Sequence, residues 1–451
     1  MNSSRRQFLR RGCLAGGALA FHPFLLNRTL HGAEPGDNKK LLFIFQRGGN
    51  DGINTVIPRG DSEYNTTNRP SLFIPEAGAL DLGNGFAQLH PSMAPMMSLY
   101  NSSKLTGVEG PGNLAVIHRV GYANQSRSHF NSQEYWEKGA PRDSTVKDGL
   151  FYRQIANTRN LSAVENSFVA ASISGSQLEA LQGEHPFPNF REAGDFAFLG
   201  DDEDSARFLG KLPTADQPRG KGVRGLYSSP SSLPRSRYAD LVRQTGQAVT
   251  STLGTLKDAV DLGPYVPANG AVYPDGSLGE KLTEAAMLMK RTPVRVVGVN
   301  VGSFDTHSNQ GAVDGKQANL LEDIAAGFQA LSLDLQEQWE DVIVVTMTEF
   351  GRTSKENGGR GTDHAEASTM FVGGGGVNGG VYNCDSTTWN DGDMFSKRGR
   401  YLERRTDFRS VFGEIFTKHF GNDPALLDTI MPGYSLAADD IPGDFAPLGI
   451  L

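Results

Sequence analysis

At 451 residues the chain is long enough to bury a large core, and 38% of its residues are hydrophobic. Its formal net charge of −8 argues against a protein that binds nucleic acid, because contact with the phosphate backbone requires a basic surface. The 54 glycines predict a loop-rich, enzyme-like domain rather than a fibrous or low-complexity protein.

The N-terminus is predicted to be an export signal. Arg5 and Arg6 precede a weakly apolar segment over residues 12–26, an order typical of twin-arginine signals. We expect residues 1–33 to engage the twin-arginine export machinery, which leaves one periplasmic or secreted domain over residues 39–451. A basic arm beside a buried helix is the alternative. No membrane span is predicted in the mature chain, because no later apolar run approaches the roughly 20 residues that a span needs.

The first predicted strand is the apolar run from Leu41 to Phe45, which we expect to be covered on both faces. The sequence RGGNDG follows it and presents Asp51 at the carboxyl end of the strand. In an open α/β sheet, ligands bind at this end of the strands. Asn, Asp and Gly also dominate ordinary turns, so a simple turn remains an equal alternative.

A second strand is predicted over residues 114–120, followed by a Ser-rich turn and a helix. This order places the Ser128 hydroxyl at a helix N-terminus, where the helix dipole and the free N–H groups favour anions. Ser126 and Ser132 lie in the same segment and are further candidates for a reactive hydroxyl. An ordinary N-cap role is the alternative for Ser126 or Ser128.

Residues 140–290 are predicted to be a loop-rich insertion that covers the site, and they contain two helical patterns, at residues 238–262 and 277–290. The interpretation as an insertion depends on the mixture of short apolar runs with exposed Pro, Ser and Arg. This region contributes no candidate site residue.

A strand–helix–strand unit follows. The first strand is predicted over residues 292–299 and leads to Asp305 and His307. A helix over residues 320–339 joins it to the next strand, residues 342–346, so the two strands should be parallel with a right-handed crossover.

The stretch from Val342 to Gly380 carries the densest set of polar candidates. Glu349 follows the strand, and a Gly-rich loop leads to Asp363 and His364. A further apolar strand around residues 370–372 then ends in four glycines. A helix is predicted near the C-terminus, over residues 410–420.

Four separated segments thus place potential metal ligands at strand ends. They are Asp51; Asp305 with His307; Glu349; and Asp363 with His364. Carboxylate and imidazole together suit Zn²⁺ or Mn²⁺ in preference to Mg²⁺ or Ca²⁺. A serine hydroxyl facing such a metal is the natural nucleophile. Arg47, Arg127 and Arg352 flank these segments and are candidates to clamp oxyanions through paired N–H donors, surface ion pairs being the alternative.

Five motifs occur in one order along the chain: RGGNDGINTVIP, SRSHFNSQEYWEKG, FDTHSNQ, TEFGRT and GTDHAEASTMFVGGGGVNGG. They resemble the exported bacterial family of domain of unknown function 1501, which is similar to the alkaline phosphatase and sulfatase superfamily. The resemblance implies a mostly parallel central sheet sandwiched between helices, with a metal site at the strand ends. It also implies hydrolysis of a small-molecule or polymer-linked phosphate or sulfate ester.

The resemblance further implies individual roles. It makes Ser128 the nucleophile, with Arg127 or Arg352 steadying the oxyanion, and it makes metal ligands of Asp51, Asp305, His307, Glu349 and His364. Phe350 stands where the superfamily commonly has a His ligand, so a second metal position should be weakened or lost unless Asp363 or His129 substitutes. The Cys/Ser-x-Pro-x-Arg pattern of sulfatases is absent. The alternatives are a catalytically degenerate metal-binding or scaffold protein of this fold, and a metal-free envelope protein.

Overall fold

The computed structural model describes residues 38–101, 112–161, 166–195, 237–434, 441 and 443–451. The export signal predicted over residues 1–33 lies outside them. The chain from Lys39 to Leu451 forms one compact unit. Within the described part of the chain, no helix is long and apolar enough to cross a membrane.

Strands and helices alternate along most of the described chain. The strands are β1 Lys40–Gln46, β2 Val56–Pro58, β3 Leu80–Asp81, β4 Ala87–Leu89, β5 Leu114–Gly121, β6 Ala170–Ile173, β7 Asn189–Phe190, β8 Val296–Val301, β9 Val342–Met347, β10 Ser368–Gly374, β11 Gly380–Tyr382 and β12 Thr406–Asp407. The α-helices are α1 Gly52–Thr55, α2 Met97–Tyr100, α3 His129–Lys138, α4 Leu150–Ala156, α5 Arg237–Asp261, α6 Ser277–Arg291, α7 Lys316–Asp334, α8 Phe408–Glu414 and α9 Leu427–Ile430. A π-helical turn, Ile415–His419, continues α8.

The central sheet has nine strands in the order β11-β5-β10-β9-β1-β8-β6-β7, with β12 beside β5. Strand β1 is parallel to both neighbours, and Leu41 is in register with Val296 of β8 and Ile343 of β9. Strand β10 runs antiparallel to both β9 and β5. The predicted fold class, α/β with a mostly parallel central sheet between helices, is therefore confirmed.

The stretch predicted as an insertion, residues 140–290, contributes to the sheet itself. Strand β6 pairs with β8 in parallel, and β7 extends the sheet beyond β6. The two helices predicted within this stretch are present as α5 and α6. Strands of four and two residues are too short to show a clear apolar pattern, so the sequence did not reveal them.

Side chains of the central strands alternate between two cores. Leu42 and Ile44 face one core with residues of α6 and α7, while Leu41, Phe43 and Phe45 face the other with residues of α3, α4 and α8. The apolar run of β1 is therefore continuous because both of its faces are buried, as expected for a central strand of a parallel sheet.

The strand directions bring the polar loops to one edge of the sheet. The carboxyl ends of β1, β5, β8 and β9 lie at this edge because these strands share one direction. Asp363 and His364 were predicted at a carboxyl end, but they precede β10. They reach the same edge because β10 is reversed, which places its amino end there.

Acidification should destabilise the fold through His419. Its Nε2 lies 3.0 Å from the carbonyl oxygen of Lys40, and burial lowers its pKa to about 4. The unfolded chain, with an ordinary His pKa near 6.5, binds the proton first, so folding free energy is lost as pH falls from about 6.5 to about 4. The linked loss is on the order of 3 kcal/mol.

Urea unfolding at pH 7.5 and pH 4.5 measures this effect. A His419→Gln variant keeps an N–H donor toward Lys40 and should lose on the order of 2 to 3 kcal/mol less between the two pH values than the wild type. An identical loss in both proteins would contradict this role for His419.

Candidate metal centre

The loops after β1 and β8 touch at the sheet edge, and a glycine permits it. Gly48 has a φ of +120°, and a Cβ there would lie 2.3 Å from the backbone nitrogen of Asp305. A residue with a Cβ at position 48 would therefore force the two loops apart. The backbone N–H of Gly48 donates to Glu349 Oε1 at 2.7 Å. The glycine thus lets three loops meet around one point.

Three histidines and one aspartate converge there. Ring nitrogens of His129 and His364 and a carboxylate oxygen of Asp305 lie within 4.8 Å of one another. His307 Nε2 lies 2.9 Å from His364 Nε2 and 3.1 Å from Asp305 Oδ1. Asp305 Oδ1 is also 3.2 Å from His364 Nε2, and its Oδ2 is 3.5 Å from His129 Nε2. We refer to these four residues as the histidine cluster.

In each ring of the cluster the second nitrogen, Nδ1, faces an oxygen that can only accept a hydrogen bond. The pairs are His129 with Glu349 Oε1 at 2.9 Å, His307 with Asp363 Oδ1 at 3.2 Å, and His364 with the Arg127 carbonyl at 2.9 Å. A neutral imidazole has one N–H, so a cation held by Asp305 and the Nε2 atoms would be matched by these partners, which accept the N–H from Nδ1 and leave a lone pair on each Nε2. Converging lone pairs repel one another unless a cation or proton lies between them.

The types of donor atom in the cluster suit a zinc-type ion. Tetrahedral Zn²⁺ with Zn–N distances of about 2.0–2.1 Å keeps its ligand atoms roughly 3.3 Å apart. The distances from Asp305 to the three histidines and from His307 to His364 run from 2.9 to 3.5 Å, and the donor atoms of His129, Asp305 and His364 all lie within 4.8 Å of one another. Imidazole nitrogen with one carboxylate oxygen suits Zn²⁺ or Mn²⁺ better than Ca²⁺ or Mg²⁺, which prefer oxygen ligands.

The surroundings keep Asp305 ionised. Burial opposes ionisation, but the hydrogen bond and positive charge of Arg352 outweigh it and lower the pKa of Asp305 to about 2. Burial lowers the pKa of His364 and favours its neutral form. The hydrogen bond with Glu349 raises the pKa of His129, against the effect of burial. The cluster therefore combines one anion with an imidazole whose burial favours the neutral form, His364, and an imidazole whose carboxylate partner favours the protonated form, His129.

Glu349 and Asp363, both predicted as ligands, lie behind the histidines. Glu349 is fully buried and its Oε1 accepts from His129, while Asp363 Oδ1 faces His307 Nδ1. Asn357 Nδ2 also donates to Asp363 Oδ1 at 3.0 Å. Carboxylates in this position orient metal-ligating imidazoles and fix their tautomers.

One family resembles part of this chain. Residues 267–393 match the family described as "Protein of unknown function (DUF1501)". The matched segment carries Asp305, His307, Glu349, Asp363 and His364, whereas His129 and Ser128 lie outside it. No curated protein matches the chain.

Arg352 was predicted to clamp an oxyanion, but its donors are used inside the protein. It is buried, and its guanidinium donates to the carbonyls of Gly48, Gly49, Phe304 and Thr362 and to Asp305 Oδ1. It therefore joins the loops that carry the histidine cluster and holds Asp305, and its burial commits the guanidinium to contacts within the protein.

Asp51 was predicted as a metal ligand, but the structure places it in a buried ion pair. Arg69 donates to its Oδ2 at 2.6 Å and to its Oδ1 at 3.2 Å, and both side chains are fully buried. Gln310 Nε2 donates to Asp51 Oδ2 at 2.7 Å. The Asp51 carboxylate is neutralised by a guanidinium and stands apart from the histidine cluster.

This ion pair supports the loops of the cluster. Arg69 also donates to the carbonyls of Thr353 and Ser354, at 3.0 and 2.9 Å. Gln310 Oε1 accepts from the hydroxyls of Thr306 and Thr362, at 2.9 and 2.7 Å. The segments that carry His307 and His364 are thus tied to one buried network. Sequence reasoning missed both Arg69 and Gln310.

Of the three candidate serines, Ser128 alone combines exposure with the position immediately before a cluster histidine. It is the N-cap residue of α3, and its side chain makes no capping hydrogen bond. Ser132 is buried and bonded to the Tyr122 hydroxyl at 2.7 Å. Ser126 Oγ accepts from the backbone nitrogen of Ser128 at 3.2 Å.

The remaining arginines differ in their surroundings. The guanidinium carbon of Arg127 lies 4.9 Å from the ring centroid of Tyr401, while its backbone carbonyl faces His364 Nδ1. Arg47 instead donates to Gln133 at 2.8 Å and Glu137 at 2.7 Å. Arg47 is therefore committed to contacts within the protein.

Phe350 closes one side of the cluster. Its buried ring lies 4.9 Å from that of His129 and 4.6 Å from that of His364, between centroids. This apolar wall offers no ligand for a second metal. His129 itself was considered only as a substitute ligand, although its position at the first turn of a helix that follows a strand end was visible in the sequence.

Proposed function

We propose that the protein is an exported, metal-dependent hydrolase of phosphate or sulfate esters, with an alkaline phosphatase-like fold. Its centre would hold one Zn²⁺ or Mn²⁺ ion through His129, Asp305, His307 and His364. The observation that carries the proposal is the convergence of three Nε2 atoms whose rings direct Nδ1 toward acceptors. The residues that follow the twin arginines support export, and the five ordered motifs support the ester chemistry.

The residues around the proposed metal ion have separate roles in this proposal. Glu349, Asp363 and the Arg127 carbonyl orient the three imidazoles. Asp305 supplies a negative charge, and Arg352 keeps it in place. When bound, the metal would supply Lewis acidity toward an ester oxyanion and lower the pKa of a hydroxyl beside it.

Ser128 is the proposed nucleophile. Its exposed hydroxyl stands at the N-terminus of α3, where backbone N–H groups favour an anionic group. Its oxygen would bond to phosphorus or sulfur while the ester bond breaks and the alcohol leaves with a proton. Water would then cleave the serine ester and release phosphate or sulfate. Arg127, the residue before Ser128, is proposed to steady the oxyanion.

The centre is open to solvent, which suits small or polymer-linked esters. The side chains of Asp305 and His307 are each 44% exposed. Cavities of about 360 and 320 Å³ occur elsewhere on the described surface, and neither is lined by a residue of the histidine cluster. A substrate would therefore reach the centre past the exposed side chains of Asp305 and His307.

Turnover of an aryl phosphate and an aryl sulfate by the metal-loaded protein tests this function. Ser128→Ala should lower kcat at least about 100-fold, because the nucleophile is removed. Ser126→Ala is the matched control and should retain activity within about threefold, since it only loses a hydrogen bond within the loop. Full activity in Ser128→Ala would exclude Ser128 as the nucleophile.

The second candidate is a catalytically degenerate metal-binding or scaffold protein. Phe350 favours it, because an apolar ring lies against two of the cluster histidines. The pairing of Asp51 with Arg69 favours it too, since this carboxylate is no longer free to bind a cation. A protein that binds metal tightly but turns over neither aryl ester would support this candidate against the hydrolase.

A further inference from the structure

We infer that Gln133, aligned by Arg47, is a positioning residue of the metal centre: it holds Glu349 so that Glu349 accepts the Nδ1–H of His129. This inference rests on the proposed metal centre and adds two residues that contact no proposed ligand atom. It assigns Arg47 a role inside the protein in place of the oxyanion clamp predicted from the sequence.

Gln133 joins Arg47 to Glu349 through the two ends of its amide. Its Nε2 donates to Glu349 Oε1 at 2.8 Å, and its Oε1 accepts from Arg47 Nη1 at 2.8 Å. A guanidinium can only donate and an ionised carboxylate can only accept. The amide therefore has one orientation that satisfies both neighbours, and Arg47 selects it.

Arg47 is itself held in place. Its Nη2 pairs with Glu137 Oε1 at 2.7 Å, and its guanidinium carbon lies 4.5 Å from the ring centroid of Phe45. Glu137 is buried, and its other oxygen accepts from the backbone nitrogen of Ala180 at 3.1 Å. The series of contacts from Glu349 through Gln133, Arg47 and Glu137 thus ends at a backbone N–H group rather than in solvent.

One face of α3 carries the whole arrangement. His129, Gln133 and Glu137 are spaced four residues apart, so they lie along the same side of the helix. Glu349 follows the end of β9 and contacts this side of the helix through His129 and Gln133. The helix that presents His129 to the centre therefore also presents the side chain that fixes the acceptor behind His129.

The hydrogen bonds that Glu349 accepts explain why the Gln133 donor matters. Its Oε1 accepts from Gly48 N, His129 Nδ1 and Gln133 Nε2, at 2.7, 2.9 and 2.8 Å. Its Oε2 is buried and has no hydrogen-bond partner among the described residues. The position of this carboxylate is therefore set through Oε1 alone. Loss of the Gln133 donor would leave Oε1 with two donors, Gly48 N and His129 Nδ1, and would loosen the acceptor behind His129.

Metal affinity of the full-length protein tests the inference. We expect Gln133→Met, which keeps the side-chain length and removes the donor, to weaken Zn²⁺ binding about 10- to 100-fold, as for other groups that orient ligating histidines. Glu134→Met is the matched control on the adjacent residue, whose partner is Lys138, and should change affinity less than about twofold. Competition with a chelator measures both.

A second readout separates positioning from general stability. The ¹⁵N signals of His129 in the metal-free protein should show Nδ1–H in the wild type and in Glu134→Met, and a mixture of tautomers in Gln133→Met. Gln133→Asn keeps an amide on a side chain that is shorter by one methylene, so the amide should no longer reach Glu349. This variant should also weaken Zn²⁺ binding at least about tenfold. This variant provides the same test if Gln133→Met does not fold.

The outcomes of the two proposals are distinct. A wild-type protein without Zn²⁺ affinity would overturn the metal centre and the inference together. A wild type that binds Zn²⁺, with folded Gln133 variants that bind equally well and keep the His129 tautomer, would overturn the inference alone.

Discussion

His307→Ala is expected to weaken Zn²⁺ binding at least about 100-fold, because loss of a ligand should exceed the roughly 10- to 100-fold cost of losing a group that only orients one. His307 Nε2 lies 2.9 Å from His364 Nε2, among the shortest separations in the cluster. Its side chain is 44% exposed, so the substitution removes little packing. Chelator competition measures the affinity, and the unfolding midpoint in urea should stay near that of the wild type.

A histidine outside the cluster provides the control for this substitution. His185 packs against Phe187, with ring centroids 5.6 Å apart, and its backbone nitrogen bonds to the Tyr152 hydroxyl. His185→Ala should leave Zn²⁺ affinity within about twofold of the wild type, because it contacts no cluster residue. Equal affinities in the His307 and His185 variants would contradict the assignment of His307 as a ligand.

Arg69→Met is expected to destabilise the protein by about 3 to 5 kcal/mol, the usual cost of leaving one charge of a buried pair without its partner. Asp51 and Arg69 are fully buried and share two hydrogen bonds. Arg69 also donates to Asn54 Oδ1 at 2.9 Å and to two backbone carbonyls, so several buried acceptors lose their donor at once. Urea unfolding at pH 7.5 measures the loss.

The double variant identifies the source of this loss. Asp51→Asn removes the buried negative charge, so Arg69→Met combined with Asp51→Asn should cost less than the sum of the two single variants. We expect the difference to exceed about 1 kcal/mol, since the residues are in direct contact. Additive losses would show that the two charges do not stabilise each other.

The strands of the sheet were predictable from the sequence because they are buried on both faces. Continuous apolar runs over residues 41–45, 114–117, 296–299 and 342–345 lie in β1, β5, β8 and β9, and the crossover through α7 follows from its helical spacing. The reversed direction of β10 was not predictable, since an apolar run carries no direction. Its reversal decides on which edge His364 lies.

The sequence predicted several residues of the histidine cluster but not the contacts that each of them makes. Residue type and position at strand ends identified Asp305, His307 and His364. Which carboxylate lies among the Nε2 atoms and which lies behind a ring depends on long-range contacts: Glu349 meets His129 across 220 positions of sequence. Asp51 was taken for a ligand because nothing in the polar segment around Arg69 indicates that this arginine is buried.

Metal content of the purified wild-type protein decides between a metal centre and a cluster of hydrogen-bonded histidines. After saturation with Zn²⁺ and removal of the free ion, elemental analysis should find one equivalent of zinc per chain, and less than a tenth of that in His307→Ala under the same conditions. Absence of zinc from folded wild-type protein, with Mn²⁺ also unbound, would contradict the metal centre and the function built on it.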